Sequence, residues 1–415
     1  MKHLPPLRIW LIAAVVAVLA GAAAIGFRLG FGAVQYLFYG FSDERITELA
    51  AALPWWHRLL APVAGGVIVA LLLRFVVPGA RPRSIAAAIT AGESDVPPIH
   101  AREGIGAAAI SVLTLGAGGS AGREGPVVHL AAWIASAVSR KFIIDGTGWR
   151  VILAAAIAAV TAASFHAPLA GLAFALEIVL RRDRWPALGP AILAAVIGDG
   201  MYLLWFGDVP MFQIAPIGLP DPEPLFKVIP AGLAAALAGL AFMHVLLGVE
   251  DIVGAAERRG WPGWLTPVPA GLAVGAIAAV RPEVIGIGYG TTEAILMQGM
   301  APTLLVAIIA AKIAATAVTL GGRFGGGIFS PCLLIGVAAG AMVSADSGGS
   351  LAGLAAVVTA VLGGPVTGIL MTWELTGQPW AMAYAAVAAG IAWRLGRRIT
   401  GGSIFTMQQR RAGTR

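Results

Sequence analysis

The stretch Gly122-Arg123-Glu124-Gly125-Pro126 decides how this sequence is interpreted, because it places an acidic residue between two apolar runs. The runs cover about residues 104–119 and 126–139, and each is shorter than the roughly 20 residues that cross a bilayer as a helix. Proline is well tolerated in the first turn of a helix, so we expect Pro126 to open a helix at Val127. The stretch therefore predicts a broken membrane helix, and such breaks line binding sites near the bilayer midplane.

The composition predicts an all-α, multi-pass membrane protein. Of the 415 residues, 58% are hydrophobic and 12% are charged, whereas a soluble domain has about 25% charged residues. The apolar runs are continuous and lack the two-residue alternation of membrane strands, so helices are expected. The apolar run that begins at Ile9 continues past Phe31, and we interpret it as the first membrane helix and not as a cleaved signal.

The net charge of +7 does not indicate nucleic acid binding, because the basic residues stand at the ends of apolar runs, as on the cytoplasmic side of membrane proteins. These clusters are Arg140-Lys141, Arg181-Arg182 with Arg184, Arg258-Arg259, Arg397-Arg398 and Arg410-Arg411. They also suit contact with the acidic headgroups of a lipid bilayer. The single cysteine, Cys332, excludes an intrachain disulfide. We also expect no cofactor and no metal.

Two pairs of motifs indicate an internal duplication. The segments 168–177 and 365–374 share the pattern Pro-x-x-Gly-aliphatic-x-x-x-x-Glu, which places Pro168 and Glu177 in one segment and Glu374 in the other. The stretch 122–126 likewise matches Gly327-Ile328-Phe329-Ser330-Pro331. We predict a first repeat at about 10–206, a second at about 225–400 and a cytoplasmic C-terminal helix at about 401–415, all in one transport domain, 1–415. The pattern leaves open whether the repeats are inverted.

The chemistry of the paired motifs suggests an anion site with a carboxylate gate. Unpaired N–H groups at a helix start attract anions, and those of Ile328 and Phe329, ahead of Pro331, could donate to the same anion. Glu124 would compete with the anion when ionised and release its place when protonated, so it could serve as gate and proton carrier. The alternatives are a surface Glu124 that caps a helix or pairs with Arg123, and a flexible hinge at residues 325–331.

Three other polar residues have less specific interpretations. Glu177 and Glu374 could belong to an ion path, but we favour a role in capping or bracing neighbouring helix ends. His166 is expected to be a packed or hydrogen-bonded polar residue and not a proton relay.

Taken together, the motifs resemble the CLC family of chloride channels and chloride/proton antiporters over about residues 10–410. The stretches that carry the resemblance are 122–126, 165–171, 327–331, 373–377 and 403–406. The resemblance implies about 18 helices in two inverted-topology repeats, with broken helices that meet at a central anion site. It also implies a homodimer in the plasma (inner) membrane. The expected cargo is chloride, with protons or other small anions as further candidates. The absence of C-terminal regulatory domains resembles prokaryotic members of the family.

The resemblance also assigns roles to individual residues. Glu124 matches the external gating glutamate, and the amides of Ile328 and Phe329 match those that hold the central anion. The amides near Arg123, Glu124 and Gly125 match the external site.

Three positions depart from the family pattern. Ala80, in Gly79-Ala80-Arg81-Pro82-Arg83, stands where the family has an anion-binding serine. Phe405 stands where it has a central tyrosine, and Ile178 where it has an inner proton-transfer glutamate. Losing two hydroxyl donors would weaken a buried anion site by about 1.5–3 kcal/mol for each hydrogen bond. We therefore expect an apolar constriction at Phe405, which can gate by dewetting.

The sequence thus predicts transmembrane chloride transport, as chloride/proton exchange gated by Glu124. The alternative is a passive, voltage- or pH-gated chloride channel of the same family. An enzyme is not expected, because the six histidines and the single cysteine are scattered and form no His-x-x-x-His motif.

Overall fold

The structure is a computed structural model that describes residues 5–43, 46–77, 85–216, 222–344 and 346–413. Within these ranges the secondary structure is helical, with one isolated antiparallel bridge between Gly122 and Gly327. The α-helices of the described ranges are α1 (Leu7–Tyr39), α2 (Thr47–Ala52), α3 (Trp55–Leu71), α4 (Ile85–Glu93), α5 (Ala101–Gly116), α6 (Glu124–Lys141), α7 (Gly146–Phe165), α8 (Pro168–Ala173), α9 (Arg184–Phe206), α10 (Pro222–Arg258), α11 (Pro267–Val280), α12 (Tyr289–Gln298), α13 (Pro302–Gly321), α14 (Phe329–Val343), α15 (Ser347–Leu362), α16 (Pro365–Thr376), α17 (Ala381–Ile399) and α18 (Ile404–Gly413). Two π-helical turns (Leu72–Val76 and Phe174–Val179) and two 3-10 turns (Gly263–Leu265 and Pro282–Val284) join them.

Seven helices of the described residues are long and apolar enough to cross a bilayer. Shorter apolar helices accompany them at Pro168–Val179, Phe329–Val343 and Ser347–Leu362. Of these, Phe329–Val343 and Ser347–Leu362 are almost wholly surrounded by protein, so they need not match the bilayer thickness. The prediction of an all-α, multi-pass membrane protein with about 18 helices is confirmed.

The helix at the central motif begins earlier than predicted. We expected Pro126 to open a helix at Val127, but α6 begins at Glu124 and Pro126 is its third residue. The same offset occurs in α14, where Pro331 is the third residue. Since the first N–H groups of a helix have no partner within it, proline is tolerated throughout the first turn and does not fix the first residue.

The core is formed by helices that touch protein on every side. The α7 side chains are buried from Trp149 to Phe165, and α14 and α15 are buried over most of their length. Small residues permit this packing, as where a side chain at Gly198 of α9 would collide with the backbone of Ala159 in α7. These closely packed helices form the rigid frame that positions the central motif.

The two repeated Pro-x-x-Gly elements cap each other. Glu374, near the end of α16, accepts hydrogen bonds from the backbone N–H groups of Leu169 and Ala170 in α8 (2.9 and 2.7 Å). In return, Glu177 accepts hydrogen bonds from the backbone N–H groups of Val366 and Thr367 in α16 (3.1 and 2.8 Å), and from the hydroxyl of Thr367 (2.7 Å). Each carboxylate thus satisfies free donors at the start of the other helix.

Threonine hydroxyls repeat this reciprocity beside the central motif. The Thr319 hydroxyl accepts a hydrogen bond from the N–H of Ser120 (3.2 Å), and the Thr114 hydroxyl accepts one from the N–H of Gly325 (3.0 Å). The two donors, Ser120 and Gly325, are 205 positions apart, and so are the two acceptors, Thr114 and Thr319, which is the interval between the motifs at 122–126 and 327–331. Contacts that exchange partners in this way are expected between two repeats that a two-fold axis relates, as in inverted-topology repeats.

Candidate functional site

The carboxylate of Glu124 lies at the start of α14. The side chain is 4% exposed, and its Oε1 accepts a short hydrogen bond from the Ser330 hydroxyl. The backbone N–H of Ser330 donates to Oε2 (3.3 Å), and the hydroxyl of Tyr289 donates to Oε1 (3.4 Å). The carboxylate therefore occupies donors that an anion could use.

Two helix starts meet at this carboxylate. Gly122 and Gly327 join them through a pair of backbone hydrogen bonds (2.7 and 2.6 Å). The approach is so close that a Cβ atom on Gly125 would lie 2.9 Å from the carbonyl oxygen of Gly326. Only glycine at position 125 allows the two helix starts to approach this closely. The positive ends of both helix dipoles therefore point to one buried region.

The amides predicted to hold an anion lie at these helix starts. Ile328 is the N-cap of α14 and Phe329 is its first residue, while Gly125 is the second residue of α6. Ile328 and Phe329 are 7% and 1% exposed, so their N–H groups are shielded from bulk water. Such groups have no partner inside their own helix and can bind an anion.

Arg123 lies inside the protein and not at its surface. Its side chain is 2% exposed, and Nη2 donates to the carbonyl oxygen of Ser164 (2.5 Å). The guanidinium carbon lies 5.6 Å from the ring centres of both Phe165 and Tyr289. The cation therefore adds positive potential beside the carboxylate and ties α6 to the end of α7.

A narrow, mainly apolar cavity lies on one side of the Glu124 carboxylate. Its lining includes Glu124, Val128, Phe174, Phe329 and Met371. It also includes Phe165, whose ring centre lies 5.3 Å from that of Phe329. The constriction is therefore formed by aromatic and aliphatic side chains, which favours dewetting.

The inner vestibule lies beyond this constriction, on the basic side of the protein. Phe405 of α18 is 2% exposed and lines this space, and Ile178, four residues after Phe174, lines it as well. Arg181, Arg184 and Arg397 supply positive charge there. The distribution of basic residues predicts that this side faces the cytoplasm. Ala80 lies outside the described residues, so its predicted place in the anion site remains a prediction.

The outer vestibule lies at the opposite end of the molecule. The two spaces touch opposite ends of α9, since Arg184 lines the inner one while Tyr202 and Phe206 line the outer one. Tyr289 also lines the outer vestibule and thus reaches from that vestibule to the carboxylate of Glu124.

Three residues of this region were not singled out from the sequence. Tyr289 and Ser330 contact the Glu124 carboxylate, and their hydroxyl oxygens lie 3.1 Å apart. Lys312 of α13 is fully buried and donates to the carbonyl oxygens of Val284 and Gly286 (3.2 and 2.9 Å). Lys312 could have been singled out from the sequence, because a single charge in an apolar run of a membrane protein is a candidate functional residue.

His166 lies at the outer end of α7, beyond the membrane-spanning stretch. Its two ring nitrogens lie 2.8 Å from an oxygen of Asp199 and 3.0 Å from an oxygen of Asp208, and its ring stacks on Tyr202. Burial lowers the pKa of His166, but the hydrogen bonds and charges of both aspartates outweigh that effect and raise it above its ordinary value.

Comparison with known sequences identifies one family. A family model described as voltage gated chloride channel matches residues 65–397. A ClcB-like protein of Ralstonia nicotianae is 31% identical over 378 residues, which are 86% of each chain. The voltage-gated ClC-type chloride channel ClcB of Salmonella dublin is 28% identical over 95% of this chain and 97% of its own.

Comparison with solved structures gives the same fold. A slow cyanobacterial Cl⁻/H⁺ antiporter superposes with a TM-score of 0.85 over 99% of both chains, at 21% identity. A CLC-type fluoride/proton antiporter superposes with a TM-score of 0.79 over 96% of both chains, at 22% identity. The predicted CLC-like fold is thereby confirmed.

Proposed function

This chain belongs to the voltage-gated chloride channel family, and we propose that it carries chloride across the membrane in exchange for protons, with Glu124 as both gate and proton carrier. Multi-pass channels and transporters make up this family. Membership alone does not specify the ion that moves, the group that gates it or the coupling to protons.

The observation that supports the proposal most strongly is the position of the Glu124 carboxylate. It accepts hydrogen bonds from the N–H and the hydroxyl of Ser330 at the start of α14, where an anion would find the same donors. A carboxylate oxygen and a halide are both negatively charged hydrogen-bond acceptors, so they compete for the same donors.

Competition of this kind links anion movement to protonation. An ionised Glu124 is a strong acceptor and remains on the donors of Ser330, whereas a protonated one is a weaker acceptor that an anion can displace. Chloride would then pass between the outer vestibule and the apolar cavity. Return of the carboxylate to the site releases its proton and closes the pathway.

Proton supply from the cytoplasmic side has to use water. Ile178 is apolar, and the carboxylate of Glu177 is engaged by the N–H groups at the start of α16. Water would have to cross the narrow apolar cavity lined by Phe174 and Phe329 to reach Glu124. We therefore expect loose coupling, with chloride passing at times without a proton.

Reversal potentials in vesicles test the proposal. The purified protein is reconstituted under opposed chloride and proton gradients, beside a Glu124→Gln variant that cannot carry a proton. We expect the wild-type reversal potential to depend on the pH gradient and that of the variant to equal the chloride Nernst potential. A wild-type value at the chloride Nernst potential under every pH gradient would contradict exchange and favour the passive channel, and an absence of flux would contradict transport.

We also propose a homodimer in the plasma membrane as the working form. The resemblance in the sequence motifs supports it, as does the apolar outer surface of α9, where Ile192, Val196 and Leu204 are exposed. Mass measurement in native-like lipid discs tests the assembly, and a monomeric mass with full transport would contradict it.

A further inference from the structure

Tyr289 separates the gate from the outer vestibule. In the described part of the chain, Tyr289 lines that vestibule, whereas Glu124 lines the apolar cavity on the other side. Both side chains are buried, at 2% and 4% exposure. In this arrangement outer water meets Tyr289 before it can reach the carboxylate.

Hydroxyl groups form a continuous chain across this barrier. The oxygen of Tyr289 lies 3.1 Å from Oγ of Ser330, and the Ser330 hydroxyl donates to Oε1 of Glu124. A hydroxyl can accept one hydrogen bond and donate another, which is the property that proton transfer along a chain requires. The route through Ser330 therefore has two intermediate oxygens, both of them protein atoms, and it uses shorter contacts than the direct one of 3.4 Å between the Tyr289 hydroxyl and Oε1 of Glu124.

We propose that Tyr289 and Ser330 form a proton relay between the outer vestibule and Glu124. The inference rests on the proposed function, since it takes Glu124 as the proton carrier. A hydronium ion in the vestibule gives a proton to the oxygen of Tyr289, whose own proton passes to Ser330, whose proton passes to Glu124. Each hydroxyl loses one O–H bond and gains another, so one proton moves and only the charges of the water and of Glu124 change.

The surroundings of Tyr289 hold its hydroxyl in this place. Gly288, in the left-handed conformation (φ 93°), is the N-cap of α12, so Tyr289 begins the helix. Lys312 fixes the preceding loop through the carbonyl oxygens of Val284 and Gly286. The ring of Phe212 meets that of Tyr289 edge-on, with centroids 5.5 Å apart. The orientation is thus set by contacts remote from Glu124, as a preorganised relay needs.

A double-variant design separates a relay from a packing role. Tyr289→Phe and Ser330→Ala remove one hydroxyl each with little change of shape, and Tyr36→Phe on the exposed face of α1 is the matched control. In vesicles, we expect each test variant to slow chloride-driven proton uptake about tenfold while the control matches the wild type. The solvent deuterium isotope effect on proton uptake should also be larger in the wild type than in Tyr289→Phe.

The Glu124→Gln background provides the decisive comparison. There no proton is carried, so the relay predicts equal chloride flux with and without Tyr289→Phe. Equal slowing in both backgrounds would overturn the relay and assign Tyr289 to packing, and unchanged proton uptake in the single variants would overturn it directly. A wild type that moves chloride without protons would refute the proposed exchange together with the relay, and the wild-type measurement identifies that case. Monodisperse elution of every variant is required before its flux is compared.

Discussion

Gly122 and Gly327 exchange two backbone hydrogen bonds, with N···O distances of 2.7 and 2.6 Å, although 205 positions separate them. The pair joins the starts of α6 and α14 at a point where neither residue has a side chain. Because both helices are fixed at their first turns, the Glu124 carboxylate and the Ser330 donors are held in register. A gate that moves by side-chain rotation needs a backbone that does not move.

Gly125→Ala tests this close approach. The added Cβ would lie 2.9 Å from the Gly326 carbonyl oxygen and 2.9 Å from the Gly327 Cα, so the two helix starts must separate. Overpacking of this kind destabilises proteins by about 1–3 kcal/mol. We expect a lower midpoint of thermal unfolding in detergent and reduced chloride flux.

Gly26→Ala is the matched control, since a Cβ at Gly26 in α1 would meet nothing within 4 Å. Helix propensity predicts that it stabilises the protein by about 0.4–1 kcal/mol. Equal unfolding midpoints for the two variants would show that the approach at Gly125 is not tight.

Glu374→Ala tests the reciprocal capping of the repeats. The substitution leaves the backbone N–H groups of Leu169 and Ala170 without their acceptor at the start of α8. Loss of a capping acceptor costs about 0.5–2 kcal/mol, and Glu374→Gln, which keeps one amide oxygen, should cost less. Denaturant unfolding in detergent measures both.

Asp145→Ala provides the comparison for this prediction. Asp145 precedes α7 and is exposed, but its side chain makes no capping hydrogen bond. It should change the free energy of unfolding by less than about 0.5 kcal/mol. If Asp145→Ala and Glu374→Ala were equally destabilising, the capping role of Glu374 would be refuted.

The pKa of His166 predicts a pH-dependent contribution to stability. Burial alone would lower that pKa, but hydrogen bonds to Asp199 and Asp208 and their charges raise it above the ordinary value of about 6.5. Protonated His166 therefore stabilises the folded state fully below about pH 6.5, and the contribution is lost as pH rises through the raised pKa. The difference in unfolding midpoint between the wild type and His166→Asn should shrink over that range.

Asparagine is suited to this test because His166 has a left-handed backbone (φ 55°), which asparagine tolerates. Asp208→Asn removes one of the charges that raise the pKa, so it should shift the loss of stability to lower pH. A difference between wild type and His166→Asn that stays constant from pH 5 to 9 would refute the prediction.

The fold was largely predictable because its signals are local or repeated. Apolar runs indicated the membrane helices, and the 205-residue interval between motifs identified positions that contact each other. The first residue of α6 was predicted three positions too late, since Pro126 is compatible with several positions in the first turn. Proline limits a helix start without defining it.

Part of the site could not be predicted from local patterns. Tyr289 contacts Glu124 across 165 positions, and no periodicity in the sequence connects them. Ser330 stood in a recognised motif, yet only the fold places its hydroxyl on the carboxylate. The capping interpretation of Glu177 and Glu374 was favoured from the sequence because a repeated acid at a helix end has an obvious structural use. Contacts between distant segments require the fold, which the local pattern does not contain.

Phe405→Tyr tests the consequence of an apolar inner constriction. Phe405 is buried and lines the inner vestibule, so a tyrosine there would place a hydroxyl donor on the inner side of the proposed pathway. A hydrogen bond to a charged group is worth about 1.5–3 kcal/mol, so we expect chloride to bind roughly tenfold more tightly or better. Calorimetric titration of the detergent-solubilised protein with chloride measures the affinity.

Phe226→Tyr, on the exposed face of α10, is the control and should leave the affinity unchanged. An unchanged affinity in Phe405→Tyr would mean that bound chloride does not reach this residue and would refute a role of Phe405 in the anion pathway.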